Sequence, residues 1–224
     1  MGCATSTCEA CFAAISSGGS SSSGSGGGGG LSANPPCCFD RRYLSTNLTV
    51  TEARSVIEAP PGESGIALAD TPIDQLRAFW EFRLRAFDRD AGASFAVGVV
   101  RRANLKPPPN DQGVFSSGRP LGTDARSKAL QASECGVQFS VNDVIGVSLD
   151  MNYKRMKFYL NGIKMDFELK LGPKFSAPYP ALSIANGARI EANFSGSIEE
   201  GKAWHAFPEE CGDYSGIVAA RQLL

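Results

Sequence analysis

Positive charge is missing from the start of this chain: no Lys or Arg precedes Arg41, and Glu9 is the one acid among residues 1–38. A segment so poor in charge and in large apolar residues cannot build a core. Long hydrophobic runs are missing too. None approaches the roughly 18 residues of a membrane span. The longest N-terminal apolar stretch, residues 10–15, is shorter than a signal-peptide core and has no basic residue before it, so the secretory route is not expected. Histidine occurs once, at His205, and any His-centred triad would have to be built there. No G-x-S-x-G elbow accompanies it, and Cys211 shows no orienting partner. His205, beside Trp204, is expected to be a surface or packing residue, and the chain is not expected to be an enzyme.

Cysteine is scarce where a disulfide framework would need it. Cys3, Cys8, Cys11, Cys37 and Cys38 precede the expected globular part, and Cys135 and Cys211 lie within it. That distribution indicates a reducing, cytoplasmic compartment. The part after residue 38 holds all 22 basic residues and 22 of the 23 acids, so it lacks the basic excess that phosphate binding needs. Nucleic acid is therefore not an expected partner.

Ser and Gly fill most of residues 16–30. Treated as a flexible coil, this stretch spans roughly 25 Å root-mean-square. Pro35 and Pro36 mark its end. The chain thus divides into a disordered Ser/Gly-rich tail (1–38), a β-rich domain (39–200) and an extension without a legible role (201–224).

Period-two patterning runs through the middle part. Trp80, Phe82 and Leu84 alternate with Glu81, Arg83 and Arg85, as in a strand with one face to the core and one to water. FAVGVV (residues 95–100) is apolar almost throughout, which suits a strand covered on both sides. Ile145, Val147, Leu149 and Met151 take one face of the next strand, and Met156, Phe158 and Leu160 repeat the pattern after a short polar turn, a hairpin. Asn161-Gly162 and Asn186-Gly187 accept the positive φ angles of type I′ turns and argue for antiparallel pairing. Residues 124–134 and 216–224 could each form two or three helical turns at most. The expected fold class is all-β, an antiparallel two-sheet sandwich.

AFWEFRL (78–84), SFAVGVV (94–100), NDVIGVSLDM (142–151), MKFYLNG (156–162) and YPALSIANGARIEANF (179–194) together resemble the SPRY domain family, over roughly residues 43–194. Their order and spacing carry the likeness. The resemblance implies a bent, concanavalin-like sandwich that recognises other proteins or short peptide segments of them. The loop at residues 101–113 and the segment after Gly196 depart from the family pattern, so ligand preference does not transfer.

Met1-Gly2-Cys3-Ala4-Thr5-Ser6 fits the signal for N-myristoylation of Gly2, and Cys3 is the natural palmitoyl acceptor. One myristoyl chain binds membrane only marginally, about 10⁴ M⁻¹, so a stable anchor needs a second chain or a basic patch. Without basic residues nearby, acylation of Cys3, and of Cys8 or Cys11, would supply it. The competing reading of these cysteines is a metal site: Cys3, Cys8 and Cys11 have the C-x₄-C-x₂-C spacing of an iron–sulfur loop, with Cys37 or Cys38 as a fourth ligand. The Ser/Gly tract between them offers no scaffold, so neither metal nor cofactor is expected.

Arg101 and Arg102 open a long loop that also holds Asn104, Lys106, Asn110 and Asp111. Such loops carry binding residues because a rigid sandwich positions them, and Arg is enriched at hot spots. These six residues are the expected partner-binding candidates. A G-x-G-x-x-G match at residues 24–29 lacks the flanking strand and helix of a dinucleotide loop. The alternative function is a lectin-like sandwich that binds or hydrolyses glycans, with Glu81 and Glu191 as carboxylates. Retaining hydrolysis needs two of these about 5 Å apart, and their neighbours Arg83, Arg85 and Asn193 suggest a solvated face. The favoured function is a SPRY-type adaptor held at a cytoplasmic membrane face by its acylated tail.

Overall fold

The computed structural model of the chain describes residues 37–101, 122, 127–194 and 204. Among these, twelve strands follow one another with no helix between them: β1 (Phe39–Leu44), β2 (Thr49–Thr51), β3 (Val56–Glu58), β4 (Ser64–Ala69), β5 (Arg77–Ala86), β6 (Ser94–Val100), β7 (Ser127–Gln131), β8 (Val144–Asp150), β9 (Arg155–Leu160), β10 (Ile163–Lys170), β11 (Tyr179–Ala185) and β12 (Arg189–Asn193). They form a five-stranded sheet in the order β1-β4-β11-β6-β7 and a seven-stranded sheet in the order β10-β9-β8-β5-β12-β3-β2. Each pairing is antiparallel. The expected all-β two-sheet architecture is what the chain adopts.

Alternation decides which side chains meet. Trp80, Phe82 and Leu84 of β5, Ile145, Val147 and Leu149 of β8 and Met156 and Phe158 of β9 turn inward from the larger sheet. Val97 and Val99 of β6, Leu130 of β7 and Leu182 and Ile184 of β11 meet them from the smaller one, in a single cluster. Burying each such side chain contributes about 1.5–3 kcal/mol. β6 is buried at every position after Ser94, as its FAVGVV pattern predicts. The β8–β9 hairpin pairs Ile145 with Leu160 through to Asp150 with Arg155. Its turn is fixed by the Asp150 carboxylate, which accepts bonds from the backbone N–H groups of Asn152 (2.9 Å) and Tyr153 (3.1 Å).

Asn161-Gly162 joins β9 to β10 with both residues at positive φ (51° and 81°), as expected of that dipeptide. Asn186-Gly187 also has positive φ at both positions (54° and 78°), but here the expected pairing fails: β11 and β12 belong to different sheets. The same local conformation turns a corner of the sandwich. Its amides serve neighbouring loops, with Asn186 N–H donating to Glu63 O (2.9 Å) and Gly187 N–H to Ala59 O (2.9 Å).

Three further expectations are corrected. The stretch 124–134, given as a short helix candidate, contains β7, because ladder bonds to β6 override weak local propensity. The outer face of β5 is not solvated at Glu81, which is 3% exposed. Cys37 and Cys38, assigned to the tail, are buried: Cys37 belongs to the core cluster and Cys38 N–H donates to the Asp70 carboxylate (3.3 Å). The reason is register, since Phe39 pairs with Ala69 at the head of β1 and draws the two preceding residues under Asp70.

Candidate interaction surface

Of the expected binding residues, Arg101 alone is described. It follows Val100 at the end of β6 and is half-buried, with its Nε out of reach of solvent. Arg102, Asn104, Lys106, Asn110 and Asp111 lie outside the described residues, as do Gly2, Cys3, Cys8, Cys11, His205 and Cys211.

The five-stranded sheet holds a surface that the sequence reading did not anticipate. Ile66, Ser183, Ala96 and Gln131 stand directly opposite one another across β4, β11, β6 and β7. They share the face turned away from the core. At about 4.8 Å between strands, this row is about 14 Å wide. One residue pair further along, Ser64, Ala185 and Ser94 form a second row, and in the other direction Leu68, Ala181, Gly98 and Ala129 form a third. In the first row the small Ser183 and Ala96 lie between the larger Ile66 and Gln131, which makes a shallow trough. Its deep end, at Leu68 and Ala181, is fully buried, whereas Ser64 and Ser94 are exposed.

A cavity of about 120 Å³ opens on that exposed end between Ile66, Ala96, Gln131 and Ser183. A second, of about 130 Å³, adjoins it across Ser94 and Ser133 and is lined by Phe87, Arg89, Val137 and Phe139. Both fall below the roughly 300 Å³ of a typical small-molecule site. Each has room for one apolar side chain, with serine hydroxyls, the Gln131 amide and the Arg89 charge at the rim.

Two loops hold this end in place. Asp88 accepts bonds from the backbone N–H groups of Asp90 (3.0 Å) and Ala91 (3.1 Å). Asn186 Nδ2 donates to Gly92 O (2.9 Å) and clamps the loop to the corner turn. On the other side Ala132 N–H donates to Phe95 O (3.0 Å) and Cys135 N–H to Gln131 O (3.2 Å). A surface held this way needs little rearrangement to bind. The sequence signal for it was faint: alternation in FAVGVV places Ala96, Gly98 and Val100 opposite the core face, but nothing local shows that β7 and β11 continue the row.

The described residues contain no group of three or more His, Cys, Asp or Glu side chains able to hold a metal. A cysteine ligates a metal as its thiolate. Burial, then the neighbouring Asp70 charge, pushes the Cys37 thiol far above its ordinary range. Burial, then the hydrogen bond to Asp70, pushes Cys38 up to about 12. Glu191 accepts a 2.6 Å bond from Arg85 Nε, and Glu81 is buried beside Asn193 Nδ2 at 3.5 Å.

The family model of the SPRY domain matches residues 77–197. An E3 ubiquitin-protein ligase of Arabidopsis thaliana, RKP, is 38% identical over 68 residues, which are 29% of this chain and 5% of the ligase. The chain therefore corresponds to a small part of that protein. Among solved structures, the SPRY domain of human HERC1 is 19% identical with a TM-score of 0.49, covering 69% of this chain and 96% of that one. The stonustoxin structure is 14% identical with a TM-score of 0.47, covering 71% and 27%.

Proposed function

The chain belongs to the SPRY domain family of protein-interaction modules, and we propose that it is a non-catalytic adaptor that captures a short segment of another protein. The observation that carries this is the trough across β4, β11, β6 and β7, ending in two side-chain-sized cavities with rigid walls. A flat row flanked by anchor pockets suits an extended peptide, whose alternate side chains drop into successive cavities. The loop that begins at Arg101 lies at the opposite end of β6 from Ser94, about 20 Å away at 3.3 Å per residue. Cavities and loop would then read different parts of one partner.

The second element of the proposal is location. Acylation of Gly2 and Cys3 would hold the adaptor at a cytoplasmic membrane face, with the Ser/Gly tract as its leash. The glycan-binding alternative has less behind it, since Glu191 is engaged by Arg85 and Glu81 is buried.

Selection of a random peptide display library on the intact protein tests the capture. Bound peptides should carry apolar anchors, and Ser183→Arg, which fills the first cavity, should weaken their binding at least tenfold while the fold persists. Binding indifferent to that change would sink the trough as the site. For the anchor, Gly2→Ala should move the protein from the membrane to the soluble fraction of cells, and an unchanged distribution would refute it.

A further inference from the structure

The outward face of an antiparallel sandwich sheet is commonly wet. The middle of the seven-stranded sheet is dry. Phe79, Glu81, Val144, Ser148 and Tyr159 alternate with core residues and turn away from the core, yet none is more than 3% exposed. Phe79 and Tyr159 meet edge to face, with ring centroids 6.0 Å apart and planes at 62°. Beneath them lies Gly146, where a Cβ would come within 2.9 Å of the Phe79 ring. A glycine there lets both rings lie low on the sheet as an aromatic platform.

Two outward positions along β5 from Phe79, past Glu81, stands Arg83. Its guanidinium carbon is 4.2 Å from the centre of the Trp204 ring, well within the ~6 Å at which a cation and an aromatic face attract. Glu191 is taken by Arg85, and the Arg83 guanidinium lies over the indole. The chain leaves β12 at Asn193, the register partner of Glu81, and Trp204 is back on the same face, half-buried.

We infer that this face is a docking surface for the chain's own C-terminal part, with Trp204 as the anchor set on Arg83. The contact covers the larger sheet in cis, on the opposite side of the sandwich from the cavities at Ser64 and Ser94. A surface that takes an indole this way is released only when Trp204 is displaced.

The chain has two tryptophans, so the emission of the intact protein minus that of Trp204→Phe isolates Trp204. In the native chain this component should resist acrylamide severalfold better than an exposed indole. Arg83→Met, which keeps the stem and removes the charge, should shift the docked-to-free ratio by roughly tenfold, and Arg83→Lys should largely restore it. Quenching as free as that of an exposed indole, or indifference to Arg83→Met, overturns the inference. Quenching that changes on dilution together with a dimer mass would mean that a second copy supplies the indole, which also overturns the contact in cis. Should Arg83→Met not fold, Arg83→Gln offers an independent readout: it should shift the docked-to-free ratio in the same direction, and no shift counts against the docking.

Discussion

Cys37 and Cys38 sit next to each other in sequence but meet different surroundings. Cys37 is enclosed in the core, whereas the Cys38 thiol donates a 2.9 Å bond to Asp70 Oδ2. Burial and the Asp70 carboxylate both disfavour their thiolates, and the thiolate is the reactive form. Iodoacetamide at pH 8 should therefore label neither residue in the folded protein and both after denaturation, as peptide mass mapping would show; stoichiometric native labelling would contradict the geometry. Asp40 shows the opposite behaviour. Burial opposes its ionisation, but Arg42 donates to it from the backbone N–H (2.9 Å), Nε and the guanidinium end (2.6 Å), and the balance holds its carboxyl below the ordinary range. A depressed folded pKa contributes stability above the unfolded value of about 4 and loses it as pH falls through the folded value. Because Arg42 is exposed, Asp40→Asn should cost no more than about 1 kcal/mol at pH 7. The gap from the unmodified protein should narrow below pH 4 in urea titrations.

At the scale of elements, the β6–β7 pair shows how much one missing side chain can decide. A Cβ on Gly98 would lie 2.0 Å from the Lys128 backbone oxygen and 2.6 Å from Ala129 Cα. Since that contact is with backbone, no rotamer change relieves it, and the two strands would have to separate. Gly98→Ala should cost on the order of 3 kcal/mol, whereas Gly172→Ala, which meets nothing within 4 Å, should stay within about 0.5 kcal/mol. Equal urea midpoints for the two variants would show that the strands part without cost. Strand positions were legible where alternation was clean, as in β5, β8 and β9. β7 was not legible, because Ser-Lys-Ala-Leu-Gln carries no β signal of its own and becomes a strand only by pairing with β6. Asn186-Gly187 shows the reverse limit: its backbone conformation followed from the dipeptide, but whether it joined paired strands or turned a corner depended on where β11 and β12 found partners.

The whole molecule extends beyond the stretch that the family model matches. β1 to β4 precede residue 77, and they supply two strands to each sheet. They also bring fully buried Phe39, Ile57 and Leu68. Phe39 packs edge to face on Phe194 at 5.3 Å and thereby ties the first strand to the last described core residue. A fragment of residues 77–224 should therefore show no cooperative thermal transition, whereas residues 37–224 should melt as one unit. A cooperative melt of the shorter fragment would mean that the early strands are dispensable.

The amino-acid sequence by itself determined the class of fold, because alternation with period two is a local property that fixes which side chains can share a face. It also carried the family likeness and the neutrality of the folded part. Tertiary pairing alone decided that Ile66, Ser183, Ala96 and Gln131 form one row, that the outer side of β5 is covered, and that Trp204 meets Arg83. Those contacts join residues from distant parts of the chain, and strand order, which sets them, leaves no periodic mark in any one segment.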